Sequence, residues 1–206
     1  MPNFTLMILA AGFGTRMENL TKNFPKPLLK INNTTLLTNT INFFENLGCN
    51  KYIINTHYLY ENLKNYINAQ HSEKNIHLIF EPQILDTGGG VKNSIKYFDS
   101  KNFLAVNADI YWDESNINDV KNFIDIIDQF ESYFLLLSDQ KNTFGIERSY
   151  GDFVIHNDYV RRWMEDDPVI FFSGLQILNP KIFENFEFTK FSMNMIWDKL
   201  ILAKKL

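Results

Sequence analysis

The sequence predicts an α/β fold: a Rossmann-like, mostly parallel sheet with helices on both faces. Short apolar runs of strand length alternate with longer segments in which apolar residues recur at helical spacing. This alternation is typical of parallel strands joined by crossover helices. In addition, 206 residues with 45% hydrophobic content are enough to form one sizeable core, but the chain is short for two independent domains. We therefore expect a single domain over residues 1–206.

In the first half of the chain, predicted strands and helices alternate regularly. The first strand is expected at residues 5–9, where a nearly uninterrupted apolar run begins the pattern. A helix is expected at 36–47, because Leu37, Ile41 and Phe44 recur at helical spacing and Gly48 can cap its end. Further strands are predicted at 52–55, 76–80 and 103–106, and further helices at 59–67, 88–97 and 120–130.

After residue 133 the pattern becomes richer in strands. We predict strands at 133–137, 153–156 and 170–178, and helical segments at 180–185 and 193–203. These elements are expected to extend the sheet and to form the second wall of a cleft.

A glycine-rich turn follows the first strand, and its composition predicts a phosphate-binding loop. Without bulky side chains, successive backbone N–H groups can converge on phosphate oxygens. Arg16 and Lys26 add the positive charge that a triphosphate requires, and Pro25 and Pro27 hold the chain around Lys26 extended. We therefore predict Arg16 and Lys26 as catalytic residues. The predicted nucleotide contacts in the loop are Leu9, Ala10, Ala11, Gly12, Gly14 and Thr15.

Two other glycine-rich motifs do not fit the spacing of this turn. A Walker A loop has Lys and then Ser or Thr directly after its last glycine, whereas Thr15 and Arg16 follow Gly14. A dinucleotide-binding fingerprint would have Gly or Ala at the position of Met17. The alternative that stays open is a glycine turn with incidental charge.

The strand predicted at 103–106 leads directly into Asn107, Ala108 and Asp109. Ligands of parallel sheets collect at the carboxyl ends of strands. A carboxylate at that point can hold Mg²⁺ together with waters and substrate phosphates. We therefore predict Asp109 as a metal ligand and Asn107 as a nucleotide contact. The alternative is an aspartate that only caps the next turn.

A second glycine-rich segment, residues 86–90, follows the strand predicted at 76–80. The backbone N–H groups of Gly88 and Gly89 can meet the carbonyl edge of a nucleobase, and the Glu81 carboxylate can accept from a base N–H. This pattern predicts a base pocket, with a glycine-rich start of a helix as the alternative. Uracil and guanine both offer an N–H beside a carbonyl, so the pattern does not choose between them.

Net charge and composition limit which binding partners and which cellular compartment are expected. The net charge of −4 argues against a nucleic-acid or membrane-surface partner, because either would favour a basic face. The single cysteine, Cys49, excludes an internal disulfide. Without an apolar stretch of transmembrane length, a cytoplasmic protein is expected. The four histidines are scattered and predict no general base.

The strings LAAGFGTRM at residues 9–17 and PKPL at 25–28 resemble the signature of the sugar-1-phosphate nucleotidyltransferases. Members of this family join a nucleoside triphosphate to a sugar 1-phosphate and release pyrophosphate. The resemblance implies the nucleotide-diphospho-sugar transferase fold, which is GT-A-like, with Mg²⁺ as cofactor at Asp109. Arg16 and Lys26 would then neutralise the triphosphate.

Three further strings resemble the N-acetylmuramate 1-phosphate uridylyltransferases of cell-wall recycling: DTGGGV at 86–91, GDF at 151–153 and FSGLQIL at 172–178. This resemblance implies UTP and N-acetylmuramate 1-phosphate as substrates, and it implies that Asp152 and Gly174 are on the sugar side. Gly174 could instead only permit close strand packing. A mannose- or heptose-1-phosphate guanylyltransferase and a weakly active nucleotide-binding remnant are the alternatives.

The family also has a second metal-binding carboxylate in a C-terminal segment, which the sequence up to Leu206 does not contain. Trp197 and Asp198 do not replace it, because Asp198 falls on the polar side of a predicted helix. The resemblance therefore predicts a shortened member with impaired activity. The oligomeric state, monomer or homodimer, is left open.

Overall fold

The computed structural model describes residues 3–99, 101–128, 133–157 and 159–206, with the side chains at positions 16, 18 and 19 outside that description. The strands are β1 (Phe4–Leu9), β2 (Lys30–Ile31), β3 (Thr34–Thr35), β4 (Cys49–Thr56), β5 (Ile76–Phe80), β6 (Phe103–Asn107), β7 (Phe134–Asp139), β8 (Phe153–His156), β9 (Tyr159–Arg162) and β10 (Ile170–Leu178). The α-helices are α1 (Leu36–Asn46), α2 (Tyr60–Gln70), α3 (Asp86–Ser94), α4 (Ile117–Asp125) and α5 (Met193–Leu202).

Six of these strands form the central sheet, in the order β5-β4-β1-β6-β10-β7. β1 pairs in parallel with β4 and with β6, and β4 pairs in parallel with β5. β10 runs antiparallel to both of its neighbours, β6 and β7. The prediction of a mostly parallel sheet is confirmed. The chain places β4 and β5 on one side of β1 and later places β6 on the other side. At such a reversal of strand order a crevice is expected at the carboxyl end of the central strand, β1.

Helices cover both faces of this sheet. Along β1, Leu6 and Ile8 point to one face and Met7 points to the other, as the alternation of side chains in a strand requires. All three side chains are completely buried. The first face packs against α1, α2 and α4, and the second packs against α3 and α5. The predicted arrangement of helices on both faces is therefore confirmed.

Most predicted elements lie within a few residues of their observed positions. α1 begins after Thr35, whose Oγ1 accepts from the Thr38 N–H at 3.1 Å, and the chain leaves it through Gly48 with φ +103. α3 begins at Asp86, earlier than predicted, and continues into a 3₁₀ helix at Ile95–Tyr97. α4 ends at Asp125, and positions 129–130 of the predicted helix lie outside the described residues.

The second half differs from the prediction in its hairpin and in one helical segment. β8 forms at the predicted residues, but it pairs with β9 in a separate antiparallel hairpin and does not extend the central sheet. The sequence shows no strand pattern at β9, because Arg161 and Arg162 make up half of it. The predicted helical segment at 180–185 is a 3₁₀ helix, Pro180–Phe183. Within the described ranges, no helix is long and apolar enough to span a membrane.

Candidate active site

A cavity of about 330 Å³ opens at the carboxyl ends of β1, β4 and β6. This is the edge at which a parallel sheet collects its ligands. The cavity brings together the residues predicted in the glycine-rich loop and after β6. Its lining residues are Leu9, Ala10, Ala11, Gly12, Gly14, Thr15, Lys26, Pro27, Asn55, Ile84, Asp86, Thr87, Asn107, Ala108 and Asp109.

Gly14 shapes the glycine-rich loop. Its φ of +66 is a left-handed conformation that residues with a side chain rarely adopt. A Cβ at this position would lie 2.9 Å from Cγ2 of Thr21 and 3.3 Å from Cβ of Lys26. The Gly14 carbonyl accepts from the Met17 N–H and from the Thr21 hydroxyl, each at 3.0 Å. Glycine here therefore lets the loop lie directly against the segment that carries Lys26.

Lys26 reaches the cavity from a stiff segment. Pro25 is extended, with φ −64 and ψ 144, and precedes a 3₁₀ helix at Lys26–Leu28; Pro25 and Pro27 are both buried. Lys26 Nζ lies 2.5 Å from Oδ2 of Asp109, and the two side chains are 21% and 31% exposed. The structure thus brings the predicted cation and the predicted metal ligand together as an ion pair. The side chain of Arg16 lies outside the described residues.

The turn after β6 holds Asp109 at the cavity. The Ala108 N–H donates to the Leu9 carbonyl at 3.1 Å, which continues the pairing of β6 with β1 past the end of the strand. Beyond Asp109, Asn39 accepts from the Trp112 N–H at 2.9 Å and donates to the Trp112 carbonyl at 2.8 Å. The backbone is therefore fixed on both sides of the carboxylate.

The donor set at the cavity fits a Mg²⁺ ion that is bound mostly through substrate. Asp109 offers hard carboxylate oxygens in an open cavity, beside a loop suited to phosphates. Among the residues that the structure describes, no group of three or more His, Cys, Asp or Glu side chains could form a metal cluster. Such a cluster is not required, because Mg²⁺ commonly uses one or two carboxylates together with waters and substrate phosphates.

Glu81 is completely buried behind the loop and is not a lining residue of the cavity. Its Oε1 accepts from Asn55 Nδ2 at 2.7 Å, and its Oε2 accepts from the Leu85 N–H at 3.1 Å. Asn55 in turn accepts from the Ala10 N–H at 3.0 Å. Burial raises the pKa of the Glu81 carboxyl, and the two hydrogen bonds that it accepts oppose this effect. The structure therefore does not support the predicted contact between Glu81 and a base; it places Glu81 in a network that supports the loop.

Gly88 and Gly89 are buried within α3 and do not line the cavity either. A Cβ at Gly88 would collide with the ring of Phe191, and one at Gly89 would collide with the carbonyl of Thr189. The Gly89 N–H donates to the Phe191 carbonyl at 3.0 Å. The predicted base contacts of these glycines are thus not retained. Their small size instead allows the segment around Phe191 to pack closely on α3.

A second cavity, of about 190 Å³, adjoins the first. One of its walls is fixed by Trp197, whose Nε1–H donates to Gln176 Oε1 at 2.9 Å. The Arg162 guanidinium lies 5.7 Å from the centroid of the Trp197 ring, and its Nε donates to Asp198 at 2.8 Å. The β8–β9 hairpin therefore supports this wall. The second cavity shares Leu9, Asp86, Thr87 and Asn107 with the first and adds Phe172, Gln176, Ser192, Met193, Asn194 and Trp197.

The predicted sugar-side residues, Asp152 and Gly174, line neither cavity. Asp152 Oδ2 accepts from Arg148 at 2.6 Å and from the Phe172 N–H at 3.0 Å, so it holds a residue that does line the second cavity. Gly174 has φ +89 at an irregular point of β10, and a Cβ there would lie 2.9 Å from Cγ1 of Ile110. Close strand packing, the alternative for Gly174, fits this environment.

Several cavity residues were missed by the sequence analysis. Asn55 lies near the carboxyl end of β4, beside β1, so the rule that located Asp109 could have found it. Asp86 and Thr87 belong to the second glycine-rich segment, but the prediction there rested on the glycines. Trp197 gave no local signal, because only the packing of α5 brings it to the second cavity.

A family model described as nucleotidyl transferase matches residues 5–165. A D-glycero-alpha-D-manno-heptose 1-phosphate guanylyltransferase of Campylobacter jejuni is 29% identical over 107 residues, which are 52% of this chain and 48% of the relative. The chain thus spans about half the length of that relative. An N-acetylmuramate alpha-1-phosphate uridylyltransferase of Caulobacter vibrioides is 24% identical over 201 residues, which are 94% of this chain and 83% of the relative.

Solved structures share the fold. HddC from Yersinia pseudotuberculosis complexed with GMP-PN has a TM-score of 0.75 at 27% identity, and the match covers 92% of this chain and 83% of that one. The inositol-1-phosphate CTP transferase from T. maritima has a TM-score of 0.78 at 15% identity, with 97% and 81% covered. The predicted GT-A-like fold is therefore confirmed. Because the family match includes the glycine-rich loop, Lys26 and Asp109, the chain belongs to the nucleotidyl transferase family.

Proposed function

We propose that this chain transfers a nucleotidyl group from a nucleoside triphosphate to a sugar 1-phosphate and releases pyrophosphate. The observation that carries the proposal is the convergence of the glycine-rich loop, Lys26 and Asp109 on one cavity. Bare backbone N–H groups, one cation and one carboxylate suit a triphosphate that carries a divalent cation. Residues 1–206 act as one domain, whose first half binds the nucleotide and whose second half supplies the sugar side.

The order of the strands supports an orientation for the nucleotide. Asp109 and its partner Lys26 lie on the β6 side of β1, whereas Asn55 lies near the end of β4 and Ile84 follows β5, on the other side. The phosphates belong beside the Lys26 ammonium because of their charge. The base then lies near Ile84, which can contact its face, and near Asp86, which can accept from its edge.

The second cavity is the proposed site of the sugar 1-phosphate. It shares Thr87 and Asn107 with the nucleotide cavity, so a ligand in it would lie next to the triphosphate. Trp197 offers an aromatic wall, and Gln176 and Asn194 offer amide groups for hydroxyls. This combination suits a small polyhydroxylated ligand.

The proposed mechanism depends on alignment and charge stabilisation and requires no general base. A phosphate monoester has a second pKa near 6, so at neutral pH the sugar phosphate is mostly a dianion that can attack directly. The loop N–H groups and Lys26 hold the triphosphate with its α-phosphorus toward the second cavity. Lys26, with Arg16 in the same role, stabilises the charge that develops on the pyrophosphate. Asp109 would hold Mg²⁺, which supplies further positive charge to the phosphates when bound.

Within this activity we favour UTP and N-acetylmuramate 1-phosphate. The uridylyltransferase of Caulobacter vibrioides is similar along 94% of this chain, whereas the guanylyltransferase of Campylobacter jejuni is similar along 52%. The alternative is guanylyl transfer to mannose or heptose 1-phosphate. It is favoured by the likeness to HddC complexed with GMP-PN, which has 27% identity and covers 92% of this chain.

A substrate panel tests the proposal. UTP, GTP, CTP and ATP are each combined with N-acetylmuramate, mannose and heptose 1-phosphates in the presence of Mg²⁺, and pyrophosphate release is measured. The expected result is the fastest release from UTP with N-acetylmuramate 1-phosphate. Fastest release from GTP with a mannose or heptose phosphate would select the alternative. Nucleotide binding without release from any pair would refute the transferase proposal and leave a weakly active nucleotide-binding protein.

A further inference from the structure

Lys26 and Asp109 neutralise each other in the nucleotide-free protein. Lys26 Nζ lies 2.5 Å from Asp109 Oδ2, although the two residues are 83 positions apart in the sequence. At this separation the ammonium makes a direct charge-assisted hydrogen bond, which leaves no space for a cation between the two groups. Both side chains line the nucleotide cavity and are partly exposed.

This contact competes with both roles that the proposed function gives to these residues. A divalent cation requires the Asp109 oxygens, and a triphosphate requires the Lys26 ammonium. We infer that Lys26 masks the Asp109 carboxylate against divalent cations until nucleotide phosphates draw the ammonium away. This inference rests on the proposed function. It orders the events at the cavity, because a divalent cation reaches Asp109 with or after the nucleotide and not before it.

The surroundings allow Lys26 to change partners without rearrangement of the cavity. The flanking prolines fix its backbone, and Asn39 fixes the turn after Asp109 through Trp112. The lysine side chain has a flexible four-carbon stem with rotatable donors, so only that side chain has to move. Because a Cβ at Gly14 would lie 3.3 Å from Lys26 Cβ, phosphates bound by the loop come within reach of the ammonium.

If this inference holds, removing the Lys26 ammonium should raise the affinity of Asp109 for a divalent cation. Lys26→Met keeps a long apolar side chain and removes the charge, so Asp109 becomes free in the nucleotide-free protein. The divalent cation then no longer has to displace the charge-assisted hydrogen bond between Lys26 and Asp109. For a bond at a partly exposed site, this should lower the Kd of the cation about tenfold. The same variant is expected to bind nucleoside triphosphates more weakly, since their phosphates lose a partner.

The test is a titration of Mn²⁺ into nucleotide-free protein, followed by the electron paramagnetic resonance signal of free Mn²⁺. Lys22→Met is the matched control, because Lys22 has the same charge in the same segment with an exposed side chain. Lys26→Gln provides a second neutral variant, and Lys26→Arg keeps a cation that can pair with Asp109. A double variant, Lys26→Met with Asp109→Asn, reports whether the added affinity belongs to Asp109. Circular dichroism verifies that each variant is folded.

Tighter Mn²⁺ binding in the two neutral Lys26 variants, absent in Lys26→Arg and lost in the double variant, supports the inference. An unchanged Kd refutes it, and so does an equal gain in Lys22→Met, which would reflect only the net charge. Calorimetric titration of the native chain with UTP and GTP in Mg²⁺ tests the proposed function separately. Normal nucleotide binding with unchanged Mn²⁺ affinities refutes the masking alone. Failure to bind any nucleotide refutes the proposed function and the release of Lys26 by phosphates.

Discussion

Replacement of Asn55 by alanine is expected to lower the free energy of unfolding by about 3 to 5 kcal/mol. Two buried groups would lose a partner: the Ala10 N–H, which donates to Asn55 at 3.0 Å, and the Glu81 carboxylate, which accepts from it at 2.7 Å. An unsatisfied buried amide costs about 1–3 kcal/mol, and a lost hydrogen bond to a charged group costs about 1.5–3 kcal/mol. Asn55 and Glu81 are 2% and 0% exposed, so bulk water does not satisfy these groups in the native chain. The expected loss is a large part of a total stability of about 5–15 kcal/mol.

Unfolding in guanidinium chloride, followed by circular dichroism, measures this change. Nucleotide affinity is a second readout, because the Ala10 amide belongs to the glycine-rich loop that is proposed to bind phosphates, so Asn55→Ala should weaken binding. Asn62→Ala is the matched control, since it removes the same side chain from an exposed position in α2 where Nδ2 donates to the Asn23 carbonyl at 3.2 Å. A loss below about 1 kcal/mol for Asn55→Ala, no larger than that of the control, would refute the role of this network in supporting the loop.

Lys26→Ala is expected to lower turnover by about 10²- to 10³-fold with the fold intact, because the cation that stabilises the phosphates is lost; near-normal pyrophosphate release would contradict its role. Asp109→Asn is expected to abolish metal-dependent turnover with little change in the thermal midpoint, and a variant that unfolds would identify Asp109 as a structural cap. Burial raises the pKa of Glu81 above its ordinary value of 4.5, so its protonation favours the folded state. That contribution is complete below the ordinary pKa and is lost as pH rises through the raised one. The unfolding free energy of the native chain, measured relative to Glu81→Gln, should therefore decrease across this window, and a pH-independent difference would exclude the effect. Burial also raises the pKa of the Cys49 thiol to about 12, so a thiol reagent should label Cys49 only on unfolding; rapid labelling of the folded chain would count against this burial.

Local sequence was sufficient to predict conformation where one short segment specifies it, and it predicted chemistry for the same segments. The apolar run that includes Met7 predicted a buried strand, and the structure buries it on both faces, because neighbouring side chains of a strand point to opposite sides. The bare turn at Gly12 and Gly14 predicted a phosphate-binding loop, and Pro25 and Pro27 predicted a stiff segment beside it. These inferences depend on backbone freedom and short-range spacing, which are properties of adjacent residues.

The amino-acid sequence by itself predicted the alternation of strands and helices, the glycine-rich loop, and Lys26 and Asp109 as candidate site residues. The tertiary structure alone decided which carboxylate reaches the cavity, since Glu81 and Asp109 both follow a strand. Glu81 is buried, and Asn55 on a neighbouring strand offsets the cost of this burial with a hydrogen bond, whereas Asp109 meets Lys26 at the open edge. The position of Trp197 at the second cavity was likewise decided by packing between elements that are distant in the sequence. Apolar periodicity identifies the buried side of a segment, but the partner on that side is selected by long-range contacts.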